Sequence, residues 1–268
     1  MTGIHVGVGG WTYEPWRDNF YPKGLAKARE LEYASRHLTA IEINATYYGA
    51  QKRASWVKWA ETVPDGFLFT VKASRYCTNR RVLAEGAESI AKFLDQGIAE
   101  LGDKLGPILW QFANSKQFDP ADFAAFLSLL PQEQEGVRLR HALEVRHDSF
   151  VCPQFVDLAR AHGCAIVFAD HAEYPAVADL TAPFVYARLQ QTRAEAPAGY
   201  GDAELDLWAG RVRAWAAGRA PQDLPYAAGA VAGQTARDVF VFIIGGAKER
   251  NPAAAQALMA RLDTPPLG

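Results

Sequence analysis

The stretch HALEVRHDSF, residues 141–150, decides the fold. Ala142, Leu143 and Val145 carry a short apolar strand pattern that runs into Glu144, Arg146, His147 and Asp148. Four titratable side chains are costly to bury at the end of an apolar run, so they belong at the open end of a strand. Parallel α/β barrels hold their chemistry at that end.

Working outward, the same grammar repeats. Toward the N-terminus, residues 107–112 form a nearly all-apolar strand ending around Gln111, and Asp119-Pro120 opens a helix to residue 130 as an N-cap followed by proline. Residues 83–101 read as one long helix with Ile90, Phe93, Leu94 and Ile98 inward. Residues 67–71 form a strand ending in Lys72 and Arg75, and 51–63 a helix with Trp56, Trp59 and Val63 on one face. Residues 39–43 form a strand ending in Glu42, Asn44, Thr46 and Tyr47, preceded by a helix over 25–37 and a first strand over 4–8 that stops at Gly9-Gly10-Trp11.

Toward the C-terminus come a helix over 153–162, a strand over 164–169 ending in Asp170 and His171, and a short segment, 174–179, in place of a full helix. Residues 184–189 form a strand carrying Arg188, followed by a polar loop over 190–202 that has the makings of a lid. A helix over 205–217 and a strand over 239–244 follow, then Gly245-Gly246 and a helix opened by Asn251-Pro252. Eight strands alternating with helices predict an α/β fold: a single closed (β/α)8 barrel of the TIM type, parallel strands inside and helices outside. Residues 219–237, rich in Ala, Gly and Pro, are the misfit: a long connection expected on the face opposite the site, in a contact role.

Composition fits one domain over residues 1–268, at 49% hydrophobic and 22% charged residues. A net charge of -2 argues against a broad electrostatic grip on nucleic acid or an anionic membrane, while leaving room for a local basic pocket. The start, MTGIHVGVGG, has no basic leader before an apolar run, and no stretch reaches the roughly 18 apolar residues that span a bilayer, so a cytoplasmic location is expected. Cys77, Cys152 and Cys164 fit no CxxC or zinc spacing and read as reduced packing residues.

With the strand ends assembled, the chain resembles the YecE-like family of uncharacterised TIM-barrel proteins. The motifs that carry the resemblance are GGWTYEPWRDNFYPKGL (9–25), AIEINATYY (40–48), FTVKASRYCT (69–78), LGDKLGPILWQF (101–112), ALEVRHDSF (142–150) and TAPFVYARL (181–189). The resemblance implies the barrel and a site built from Trp11, Tyr13, Glu42, Asn44, Lys72, Arg75, Gln111, Glu144, Arg146, His147, Asp170 and Arg188. The chain departs from the family pattern at Asn79, where a histidine is usual, at Gln190-Gln191 in place of His-Gly, and at Gly245-Gly246 in place of an acidic or amide pair. Those departures put the retention of catalysis in question.

The chemistry of these side chains leans toward an anionic ligand. Lys72, Arg75, Arg146 and Arg188 outnumber Glu42, Glu144 and Asp170, and arginine forks match carboxylate or phosphate oxygens bidentately. The Gly245-Gly246 turn and the helix after it would add backbone donors where such barrels often hold phosphate. A plainer alternative is that Arg146 and Arg188 neutralise Glu144 and Glu42 as an ion-pair network. Glu144 and His147 are candidates for general acid and base, with Glu42 and Asp170 beside them, while Trp11, Tyr13, Asn44 and Gln111 line the ligand.

No cofactor is expected. A divalent metal would need three of Glu42, Glu144, His147, Asp170 and His171 to converge. The first functional reading is an enzyme acting on a small phosphorylated or carboxylated compound. The alternative is a nucleic-acid-binding protein, or a metal-dependent phosphodiesterase or endonuclease-like hydrolase, in which the aromatic belt of Trp11, Tyr13, Trp16, Phe20, Tyr21, Tyr47 and Tyr48 stacks bases. That belt reads equally as packing for a long first loop.

Overall fold

The computed structural model describes residues 3–230 and 235–267. Eight parallel strands close into a barrel: β1 (Ile4–Gly9), β2 (Ala40–Ile43), β3 (Leu68–Lys72), β4 (Leu105–Gln111), β5 (His141–Glu144), β6 (Ala165–Asp170), β7 (Phe184–Leu189) and β8 (Asp238–Ile243). Each pairs with its sequence neighbours, and β8 pairs with β1, with Val6 opposite Val241, to close the ring. The chain is therefore an α/β barrel of the TIM type. Strands buried on both faces need apolar residues throughout, and β4 is buried along its whole length.

Around the barrel lie α1 (Glu30–Ser35), α2 (Arg53–Thr62), α3 (Arg75–Thr78), α4 (Ala87–Leu94), α5 (Pro120–Ser128), α6 (Pro153–Ala161), α7 (Asp202–Ala216) and α8 (Asn251–Arg261). The Asp119 carboxylate accepts from the backbone N–H groups of Ala121 and Asp122, as expected of an N-cap. No helix stands between β6 and β7, in keeping with the short segment there.

The single helix expected over 83–101 is instead three pieces, a 3-10 turn over Leu83–Gly86, α4, and a 3-10 stretch over Ile98–Lys104. Gly97 makes the break: its φ is +104°, and a Cβ there would lie 2.9 Å from Arg53 Cγ and 3.2 Å from Trp56. The kink lets the chain lie close against α2, a tertiary demand that helical periodicity does not carry. The helix expected over 25–37 likewise shortens to a 3-10 turn and α1.

Two packing layers result. Outside the strands, Trp56, Phe69, Trp110, Phe126, Phe168 and Trp215 fill the space under the helices. Inside, the aromatic rings of Phe184, Tyr186, Phe240 and Phe242 on β7 and β8 fill the lumen left by Ala40, Ala142 and Ala165 on β2, β5 and β6.

The loop over 190–202 is pinned rather than lid-like. Thr192 donates its hydroxyl to Asn251 Oδ1 (2.9 Å), its carbonyl accepts from the Ala247 N–H (2.8 Å), and Tyr200 is buried with its hydroxyl accepting from the Gln191 N–H (3.1 Å). In the long connection over 219–237, Ala227 and Ala228 donate their N–H groups to the Asp179 carboxylate (2.7 and 3.0 Å), and Arg237 reaches the Ala182 carbonyl (3.2 Å). Its described residues thus pack on the segment that leads into β7; residues 231–234 lie outside the described residues.

Gly7 shows how tightly β1 and β2 approach. A Cβ there would fall 1.9 Å from the Ala40 carbonyl oxygen, a backbone atom that cannot swing away. Gly7→Ala should therefore destabilise the fold by about 3 kcal/mol through overpacking, read as a lower urea midpoint with an unchanged m-value.

Candidate active site at the C-terminal mouth of the barrel

Residues i and i+2 of a strand share a face, so each strand contributes every second residue to the lumen. Glu42, Thr70 with Lys72, Gln111, Glu144 with Arg146, and Tyr186 with Arg188 all point inward on this rule. They meet around one guanidinium. Arg188 grips Glu42 with two bonds, Nε to Oε2 (3.2 Å) and Nη2 to Oε1 (3.0 Å), and donates Nη1 to Glu144 Oε2 (2.6 Å). Tyr186 donates its hydroxyl to Glu42 Oε2 (2.6 Å) and lies 3.0 Å from the Thr70 hydroxyl. Gln111 donates to Glu144 Oε2 (2.9 Å), while Arg146 covers Glu144 Oε1 with Nε (3.0 Å) and Nη2 (2.9 Å).

Both carboxylates are fully buried, and only 3% of the Arg188 side chain is exposed. Burial alone pushes the Glu144 carboxyl up, but Arg188, Arg146 and the Gln111 amide outweigh it and hold the group at about 2. The converse holds for Arg188: burial disfavours its charge, and Glu144 and Glu42 raise its pKa above the ordinary arginine value. Burial also drives Tyr186 well up, with Glu42 adding to it, so its hydroxyl stays protonated and donates. Glu144 therefore serves here as a fixed anion and is poorly suited to donate a proton.

Lys72 stands differently. Its side chain is buried at the mouth with Nζ 4.1 Å over the Tyr47 ring, and among the described residues no carboxylate lies within ion-pairing distance of it. Burial, followed by the nearby Arg188, lowers its pKa to about 8. With Arg146 and Arg188 it makes three cations against the two buried carboxylates, so the mouth carries one positive charge in excess. Arg146 lies 4.4 Å over the Tyr174 ring, and Asn44 donates its amide to the Glu42 carbonyl (3.2 Å).

Other expected residues go elsewhere. Asp170 shares its face with Ile166 and Phe168, so it points outward, where it accepts from Gln191 (2.6 Å) and burial raises its pKa. His147 faces away from Arg146 and caps the turn over Asp148–Phe150, its Nδ1 accepting the Ser149 N–H (3.1 Å). Glu144 faces the lumen, whereas the His147 ring nitrogen Nδ1 is taken up by the cap at Ser149. Trp11 packs edge-on against Trp59 (5.2 Å) outside the strands, Tyr13 lies under Lys248 Nζ (4.3 Å), and Arg75 is exposed beside Tyr76.

Most of the aromatic belt is packing: Trp16, Phe20 and Tyr21 are buried against one another, and Tyr48 alone is largely exposed. The Gly245-Gly246 turn serves the loop beside it. A Cβ on Gly246 would meet the Thr192 carbonyl at 2.4 Å, and the Ala247 N–H is bonded to that same carbonyl. Among the described residues no three His, Cys, Asp or Glu side chains are grouped to hold a metal ion, and no helix is long and apolar enough to cross a membrane.

Tyr186 and Tyr174 stand at this site and are not among the residues the sequence singles out, whereas Tyr47 is, at the end of β2 and in the aromatic belt. Tyr186 carries a usable signal, lying two residues before Arg188 on the same strand; Tyr174 does not, because it reaches the mouth from a loop.

A (β/α)8 barrel with a buried ion network and a cation-rich mouth is the class that fold and site define. The chain belongs to the family described as "Protein of unknown function DUF72", which matches it over residues 5–267. It is 27% identical over 160 residues to the UPF0759 protein YunF of Bacillus subtilis (strain 168), a match covering 58% of this chain and 54% of that one, so that the aligned part spans about half the length of that relative. A DUF72 family protein from Enterococcus faecalis V583 superposes with a TM-score of 0.71 at 17% identity, covering 98% of each chain. Another from Thermotoga maritima MSB8 gives 0.70 at 23% identity, covering 96% of this chain and 97% of that one.

Removing the central guanidinium should strand two buried carboxylates. Arg188→Met is expected to cost about 3–5 kcal/mol at pH 7. In wild type, Glu144 is depressed to about 2, so its stabilising contribution is complete above its ordinary carboxylate range and fades as pH falls toward 2. The gap between wild type and Arg188→Met should accordingly narrow on acidification, as read by urea unfolding at pH 7, 5 and 3.5.

Proposed function

We propose that this protein is an enzyme acting on a small phosphorylated or carboxylated compound held at the barrel mouth by Lys72 and Arg146. The observation that carries the proposal is Lys72: a buried ammonium without a carboxylate partner among the described residues, beside a network whose two carboxylates are already engaged. An unpaired buried charge is costly, and an anionic ligand removes that cost. Arg146 presents the part of its fork not turned to Glu144, with 21% of its side chain exposed. Tyr47 and Tyr174 flank the two cations, and Asn44 stands at the rim to orient a polar substituent.

Proton transfer in this reading falls to Lys72. A group titrating near 8 exists in both forms around neutral pH, which suits general acid–base work. Glu42, Arg188 and Glu144 form the rigid electrostatic floor beneath it, a preorganised set of charges that does not rearrange during reaction.

The test is binding of inorganic phosphate and simple carboxylates, followed by thermal shift and calorimetry at fixed ionic strength. Wild type should be stabilised by anions, and Lys72→Met should bind at least tenfold more weakly, because one ammonium is lost from a desolvated site. Unchanged binding in Lys72→Met refutes the assignment. The pH dependence has a defined sign: the ammonium is present below about 8 and lost above it, so wild-type affinity should decline as pH rises from 7.5 to 9.5. Lys72→Met should show no such decline.

A further inference from the structure

We infer that a second anion site lies beside the mouth, in the cavity of about 580 Å³ between residues 78–81 after β3 and residues 113–117 after β4. It would take the phosphoryl group of a phosphate ester whose other, reacting end lies over Lys72. This inference rests on the reading of the mouth as an anion site and adds the substrate's second anchor.

Both segments leave the C-terminal ends of their strands, so the cavity opens on the same end of the barrel as the mouth. Arg80, Arg81 and Lys116 line it. The nearby carboxylate, Asp122, is already engaged by Lys116 Nζ (2.7 Å) and by the Ala84 N–H (2.9 Å). Among the described residues neither Arg80 nor Arg81 has a carboxylate within 4.0 Å.

Arg80 supplies the observation that points to a ligand. Its Nε and Nη1 are buried with no hydrogen-bond partner among the described residues, and the Thr78 hydroxyl on the same wall is orphaned too. A half-buried guanidinium with no counter-charge is expensive to keep, and because Nε and Nη1 are sealed off from solvent, an oxyanion in the cavity would compensate the charge through the remaining nitrogen, Nη2. The group is also held in place: a Cβ on Gly86 would stand 3.3 Å from Nη1, so a glycine there lets the guanidinium lie flat against the backbone. A fixed orientation aims the remaining nitrogen, Nη2, at a phosphoryl oxygen.

One side chain joins the two sites. Asn79 lines the cavity and donates its amide to the Tyr47 hydroxyl (3.0 Å), and the Tyr47 ring lies under Lys72 Nζ. Asn79 and Tyr47 thus link the cavity lining to Lys72 by direct contacts. A ligand bridging them carries a phosphate at one end and an anionic or polar group at the other.

Calorimetric titration of inorganic phosphate into the full chain, at constant ionic strength, tests this with Arg80→Met, Arg81→Met and Lys72→Met. Wild type should bind two phosphates. Arg80→Met should bind one, with at least tenfold weaker affinity for the other, and Arg81→Met, an exposed change that leaves the fold intact, should weaken the same event several-fold. If both arginine variants bind as wild type does while Lys72→Met loses a phosphate, the cavity is overturned and the mouth reading stands. If only the arginine variants lose binding, the mouth reading falls and the cavity survives. Should Arg80→Met not fold, unchanged binding by Arg81→Met is sufficient to overturn the cavity.

Discussion

The structure depends on one guanidinium set between two carboxylates. Arg188 on β7 reaches Glu42 on β2 and Glu144 on β5, and Gln111 on β4, Tyr186 on β7 and Arg146 just after β5 supply the remaining donors. Strands from around the ring are thus tied through their lumen as well as through their ladders. Three charges buried together are tolerated because each of the four carboxylate oxygens has a donor. The lumen beneath can then be apolar: Phe240 and Phe242 fill it without meeting an unsatisfied charge.

That saturation decides what the mouth can do. A carboxylate held ionised at about 2 cannot donate a proton near neutrality, and a second one gripped bidentately by the same arginine has little freedom to attack or to bind a metal. In the proposed reading, proton transfer falls instead to Lys72, whose lowered pKa comes from burial and from Arg188, the centre of the network below. On that proposal the ion network would act on a ligand through the amine above it.

Much of this was legible in the sequence. Alternation within strands and the Asp119-Pro120 cap gave the eight-strand order, and the inward residues Glu42, Lys72, Gln111, Glu144, Arg146 and Arg188 follow from their strand positions. The misplaced residues were chosen for standing at a strand end, when the face they share decides. Asp170 keeps step with Phe168, which packs on Trp208 and Trp215 of α7, and His147 falls out of step with Arg146. Gly245-Gly246 suggested an anion cradle because its spatial neighbour, Thr192, lies over 50 residues away and leaves no local trace. Gly97 broke a helix for the same kind of reason.

Cavity size by itself does not favour one end of the barrel over the other. A space of about 560 Å³ also opens where the strands begin, lined by Arg140, His141 and Asp238 among others. Its partly buried cation is matched: Arg140 pairs with Asp238 at 3.0 Å and lies over the Phe240 ring at 4.9 Å, with His5 stacked on the same ring and held down to about 4 by burial. Arg138, the other arginine on its lining, is exposed. Arg140 and Asp238 thus compensate each other there. At the mouth, Lys72 is buried and has no such partner among the described residues, and uncompensated buried charge is what stability alone would have removed. Among the described residues, a buried ammonium with no carboxylate partner is what supports the proposed anion site at the C-terminal face.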